Sequence, residues 1–176
     1  MKRYFVTVGS RQVHYRRAGA GPPVVFLHGS PQSSAFVAPV MEAVAENYTA
    51  IGLDTPGYGN SEVLAQAWPS AADYADAMAQ TLDALGIEVA AFYGTHTGAH
   101  IAMEFARRHP ARTASLILDG ISFNTPAERA ELLARYAPPF VPCAAGEHLA
   151  WAWQHTRDQV LFYPWFRAEA ERRGLP

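Results

Sequence analysis

Short runs of β-branched and aromatic residues alternate along the chain with longer stretches whose apolar positions recur every three or four residues. That alternation is the pattern of βαβ units feeding a mainly parallel sheet with flanking helices, an α/β class. Phe5 to Val8 and Val13 to Arg16, separated by Gly9-Ser10, predict an opening antiparallel hairpin. Val24 to Leu27 is apolar at every position, as a strand buried on both faces must be. Thr49 to Leu53, Val89 to Tyr93 and Ala114 to Leu118 predict three further strands.

Helices fill the intervals. Phe36, Val40 and Val44, with Val37 and Met41 alongside, give one apolar face that Asn47 would close. Ser70 followed three residues later by Asp73 is a capping-box start. Tyr74, Met78, Leu82 and Leu85 then form an apolar face, and Gly86 stops the helix. Thr97 to Arg108 is helical in pattern and apolar on most sides, and it ends before Pro110. Beyond Asn124 the style changes to aromatic-rich helices: Pro126 to Tyr136, a Pro138-Pro139 break, and a stretch from Glu147 interrupted at Pro164.

Composition narrows the function classes. With 49% hydrophobic and 17% charged residues in 176, the chain has the material for a real core. A net charge of −2 and the absence of a Lys/Arg run lead us to expect neither nucleic acid nor a membrane as partner. Cys143 is the single cysteine, so no internal disulfide is available. The opening MKRYFVTVGS is too short in apolar residues for a signal-peptide core, and a cytoplasmic location is expected. The histidines have no ligand spacing with Cys, Asp or Glu that would define a zinc site, and no glycine-rich phosphate loop is present, so no metal or organic cofactor is expected.

Three motifs carry the chemistry. His28-Gly29-Ser30-Pro31 follows a central strand, Asp54-Thr55-Pro56-Gly57-Tyr58-Gly59-Asn60-Ser61 follows the next, and Gly94-Thr95-His96-Thr97-Gly98 lies between a strand and a helix. Together they resemble the α/β-hydrolase family, in particular its epoxide hydrolase, haloalkane dehalogenase and esterase-like members. The first looks like that family's H-G-x-P loop, the second like its D-x-P-G-x-G-x-S turn, and the third like its nucleophile elbow. The resemblance implies a sharp strand-to-helix turn that lifts one side chain clear of the sheet. It also implies an oxyanion hole made by the Ser30 and Thr97 amides, His28 as a brace for its loop, and a structural Ser61.

The central elbow residue is His96, where the resemblance leads one to expect Ser, Asp or Cys. Histidine can act as a covalent nucleophile or general base, or the position can have become a ligand contact. Asp119 closes the strand after the elbow, where some dehalogenase-like members carry the triad acid, and from there it could orient an imidazole; alternatively it caps a turn with Gly120. Only His148 and His155 follow Asp119, both in the helical segment. The expected triad histidine is therefore placed on a portion beyond this chain, which is read as ending within a lid.

The expected organisation is a partial hydrolase core over 1–123 and an incomplete helical lid over 124–176, whose Trp151, Trp153, Phe162, Tyr163, Trp165 and Phe166 could line an apolar pocket. Ser115 to Leu118 carries neither charge nor proline to protect a sheet edge, so self-association is expected there. The expected activity is hydrolysis of an ester, epoxide or similar small apolar substrate. The rival expectations are a non-catalytic ligand-binding protein and an inactive fragment.

Overall fold

The computed structural model describes residues 1–135 and 141–158. The chain divides into two compact units, the first Met1–Ser122 and the second beginning at Phe123. The first unit is built on one six-stranded sheet in the order β1-β2-β4-β3-β5-β6. Its strands are β1 (Lys2–Val8), β2 (Arg11–Ala18), β3 (Pro23–Leu27), β4 (Thr49–Leu53), β5 (Ala90–Thr95) and β6 (Thr113–Asp119). β1 and β2 form the expected antiparallel hairpin, β2 pairs antiparallel with β4, and β4, β3, β5 and β6 run parallel. Three helices join the parallel strands: α1 (Ala38–Val44), α2 (Ala71–Ala84) and α3 (Thr97–Arg108).

The period-2 alternation of strand side chains sorts the core into two layers. Val25, Leu27, Ile51, Leu53 and Phe92 point to one face, where Met78 and Leu82 of α2 and Ile101 and Phe105 of α3 cover them. Phe26 and Ala50 point to the other, against Val37 and Met41 at α1. Gly52 lies on that second face, and a Cβ there would stand 2.6 Å from Met41 Sδ, so glycine is what lets α1 approach β4. β3, apolar throughout, is buried on both faces at Val25, Phe26 and Leu27, as the continuous hydrophobic run requires.

Several boundaries differ from the sequence expectation: β1 opens at Lys2, ahead of Phe5, β2 spans Arg11–Ala18, beyond Val13 to Arg16 at both ends, and two further shifts have a visible cause. The helix expected from Phe36 begins at Ala38, because the chain first makes tight turns closed by Phe36 N–H to Ser33 carbonyl and Ala38 N–H to Ala35 carbonyl bonds. The strand expected to end at Tyr93 runs on to Thr95, held by the register pairs Gly94↔Leu118 and Thr95↔Asp119 with β6. The capping box at α2 is formed as expected: Ser70 Oγ accepts the Asp73 amide at 3.3 Å and the Asp73 carboxylate accepts the Ser70 amide at 2.7 Å.

The second unit contains α4 (Pro126–Arg135) and α5 (Glu147–Asp158). Tyr136, the Pro138-Pro139 break, Phe162, Tyr163, Pro164, Trp165 and Phe166 lie outside the described residues. Among the described residues, no helix is long and apolar enough to cross a membrane.

Candidate active site at the strand-to-helix elbow

The parallel strands β3, β4 and β5 all deliver their motif loops to one end of the sheet. Two of these loops are rigid frames. His28 is fully buried; its Nε2 accepts the Thr55 amide at 3.0 Å, which assigns the ring proton to Nδ1, and Nδ1 donates to the Gly29 carbonyl at 2.9 Å. Burial pushes its pKa below the ordinary value, against the opposing pull of the Gly29 bond and the Asp54 charge. The imidazole is thus a neutral tie between the loops after β3 and β4.

Asp54 anchors the second frame. Its carboxylate accepts the Ser34 amide at 2.7 Å, the Asn60 amide at 2.8 Å and His14 Nδ1 at 2.8 Å. Burial works to raise its pKa, but hydrogen bonds from Ser34 and Asn60 and the nearby His14 outweigh it and hold the carboxyl below its usual range. Gly59, at φ +57°, is required here because a Cβ would overlap Asp54 Oδ2. Ser61 is committed to the frame: its hydroxyl donates to the Asp54 carbonyl and accepts the His14 amide.

The third loop is the elbow. His96 has φ 49° and ψ −113°, a region that side-chain-bearing residues rarely occupy. The turn is tight because its flanks are glycines: a Cβ on Gly94 would meet the Gly98 carbonyl oxygen at 2.4 Å, and one on Gly98 would meet the Leu27 carbonyl oxygen at 2.3 Å. The His96 amide is tied to the Asp119 carbonyl at 2.9 Å, and the His96 carbonyl receives the Ala99 and His100 amides of α3. Its side chain is exposed, and its ring lies against the Gly120 Cα, where an added Cβ would come within 3.0 Å of Nδ1.

The Ser30 amide reaches toward Thr97 Oγ1 at 3.4 Å, a long bond that brings the H-G-x-P loop beside the first turn of α3. Thr97 is the first residue of α3, so its amide has no acceptor within the helix. His96, Ser30 and Thr97 are therefore brought together. Asp119 is also nearby, but through its backbone; its carboxylate accepts the Tyr93 hydroxyl at 2.5 Å. That bond, with burial and the Asp119 charge adding to it, pushes the Tyr93 hydroxyl up to about 12. His148 and His155 belong to the second unit.

Sequence reasoning missed Tyr93, Gly120 as the rest for the His96 ring, and Gln32. Gln32 follows the H-G-x-P motif, and its Oε1 is buried without a hydrogen-bond partner. Linear pattern holds no signal for these, because each acts on a residue from another loop.

Residues 22–150 match the model of the alpha/beta hydrolase fold family. Among curated relatives, the chain is 34% identical over 122 residues to a 2-hydroxy-6-oxononadienedioate/2-hydroxy-6-oxononatrienedioate hydrolase of Dechloromonas aromatica, covering 66% of this chain and 42% of the relative. It is 34% identical over 144 residues to a 2-hydroxymuconate semialdehyde hydrolase of Pseudomonas sp. strain CF600, covering 78% of this chain and 50% of the relative. The solved structure of E-2-(acetamidomethylene)succinate hydrolase superposes with a TM-score of 0.66 at 28% identity, over 76% of this chain and 50% of that one. The chain thus spans about half or less of the length of these relatives. With the matched model covering most of the chain, and with the elbow, the glycine contacts and the parallel sheet all in place, this protein belongs to the α/β-hydrolase fold family.

Proposed function

We propose that this chain forms the core of a hydrolase that cleaves a small carbonyl compound, an ester or an oxo compound, at the elbow. The observation that carries this reading is the strained, exposed His96 beside the Ser30 and Thr97 amides. A residue held at such a cost in backbone energy, about 1–3 kcal/mol, is favoured where the strain serves a function. The two relatives named above are hydrolases of oxo and semialdehyde compounds. That favours a carbonyl over the epoxide that the motifs alone also allow.

An imidazole nitrogen attacks the carbonyl carbon, and the π pair moves to oxygen, where the Ser30 and Thr97 N–H groups stabilise it. Collapse expels the leaving group, which takes up the proton lost from the imidazolium. Water then adds to the acyl-imidazole and releases the acid, restoring the nitrogen lone pair.

The test is hydrolysis of p-nitrophenyl butyrate by the wild-type chain and by His96→Ala. Loss of about 10³-fold in kcat/KM, with a transient acyl-imidazole absorbance in the wild type only, supports the mechanism. Equal rates in the two proteins overturn it.

A second reading, a ligand-binding protein without turnover, is favoured by the Asp119 carboxylate being engaged by Tyr93 and not by an imidazole. An inert wild type together with an active His96→Ser would select it.

A further inference from the structure

A cavity of about 220 Å³ opens at the end of the parallel strands opposite the elbow, where β3 and β4 begin and the Leu85-Gly86-Ile87 link leads from α2 toward β5. Strand register builds it. Arg17 pairs with Ile51 across β2 and β4, and Tyr15 with Leu53, so these side chains share the face of the sheet that α2 covers. Pro23, Ile51, Leu85 and Ile87 supply an apolar lining, and Tyr15 and Arg17 supply its polar side. Two contacts fix the walls: the Tyr15 ring stacks on Tyr4 at 5.3 Å, and the Arg112 guanidinium donates to the Ile87 and Glu88 carbonyls at 2.9 and 3.1 Å.

The charge at its mouth is one-sided. Lys2 stands directly opposite Arg17 in the β1–β2 register, so two cations share this face, and both are open to solvent. Like charges placed opposite each other across two strands repel, and an anion between them converts that repulsion into attraction. No acidic residue lines the cavity. Of the acids beside it, Glu88 follows Ile87 in the chain, and Asp83 is held by Arg112 at 2.7 Å. The donors that could cradle a phosphate are engaged: the Thr49, Gly86 and Ile87 amides bond to the Pro22, Asp83 and Leu82 carbonyls, and the Thr49 hydroxyl donates to the Gly21 carbonyl.

We infer that this cavity is a second ligand site, and that it binds a small carboxylate with an apolar body. The Arg17 fork donates two parallel hydrogen bonds to the two carboxylate oxygens, the geometry a guanidinium is shaped for. Lys2 adds its charge from across the strand pair, and the apolar body lies against Ile51, Leu85 and Ile87. An apolar lining with a few placed polar groups is the usual make-up of a small-molecule site, and a volume below the roughly 300 Å³ at which drug-sized pockets begin restricts this one to small acids. The inference stands apart from any chemistry at the elbow.

The experiment titrates sodium benzoate and benzyl alcohol, which share the ring and differ in charge, into the full chain and follows the backbone amides by heteronuclear NMR. Benzoate should move the Thr49, Gly86 and Ile87 amides saturably, and benzyl alcohol should bind about tenfold more weakly. Arg17→Gln removes the charged fork from an exposed position; it should lower benzoate affinity about tenfold and leave benzyl alcohol affinity unchanged. Should Arg17→Gln fail to fold, judged by circular dichroism, Lys2→Gln is used, and it should weaken benzoate by a smaller factor, about twofold to threefold. Four results would each overturn the inference: no saturable shift at those three amides, shifts centred on Ser30 and Thr97, equal affinity for the two compounds, or benzoate affinity unchanged by the substitution. Displacement of benzoate by an equal concentration of inorganic phosphate would overturn the choice of a carboxylate.

Discussion

The Tyr93 hydroxyl donates to an Asp119 carboxylate oxygen at 2.5 Å, across the pair formed by β5 and β6. Asp119 is also the residue whose carbonyl holds the His96 amide, so the phenol steadies the strand end on which the elbow leans. The hydrogen bond to Asp119, with burial and the carboxylate charge behind it, raises the Tyr93 hydroxyl to about 12.

Tyrosinate absorbance followed through an alkaline titration should contain a component near 12 that disappears in Tyr93→Phe. Because the folded value lies above the ordinary 10, the stability from this bond is present below pH 10 and is lost as the pH rises through about 12. A titration curve identical in the two proteins would remove the bond from consideration.

Acid should weaken the frames around the elbow in two stages. His28 is held neutral by burial, so its contribution is present above its ordinary value of 6.5 and declines as the pH falls below it. Asp54 is held ionised by its hydrogen bonds, so its contribution is present above 3.8 and declines at lower pH. Melting temperature measured against pH should show both declines. His28→Gln should lose the upper one and keep the lower, and a profile unchanged by the substitution would contradict the assignment.

Two glycine substitutions separate steric crowding from backbone strain. Gly98→Ala drives a methyl into the Leu27 carbonyl, and the only relief is a shift of α3 from β3, so the loss in stability should reach about 3 kcal/mol or more. Gly86→Ala meets no atom within 4 Å but keeps φ +68°, and should lose only about 1–2 kcal/mol. Urea unfolding of the two variants gives the comparison; a smaller loss at position 98 than at 86 would mean the elbow is not tightly packed.

Among the described strands β1 and β6 are the two edges of the sheet, and on β6 Ile117 is 60% exposed. We expect the chain to self-associate through this strand, since an apolar edge offers unpaired backbone groups to another strand. Light scattering after size exclusion should give a mass that rises with concentration, and Ile117→Lys should suppress the rise. A constant monomer mass in the wild type would overturn the expectation.

The sequence by itself determined the elements. The strand Thr49–Leu53, the helix Thr97–Arg108 and the Ser70 cap are written in local terms, in apolar periodicity, glycine stops and capping residues, and they stand where those signals put them. It also marked the elbow through Gly94, which answers a steric demand made within five residues by the Gly98 carbonyl, whereas Gly98 answers one made by Leu27 on the neighbouring strand. Only the tertiary structure decided what surrounds that turn. His14 meets Asp54, Tyr93 meets Asp119, and Gln32 is brought beside His96, each from a different stretch of chain. Such contacts follow from strand order and register, and those are fixed by how whole faces of the sheet pack against helices; a hydrogen bond between side chains on separate strands leaves no periodic trace in either one.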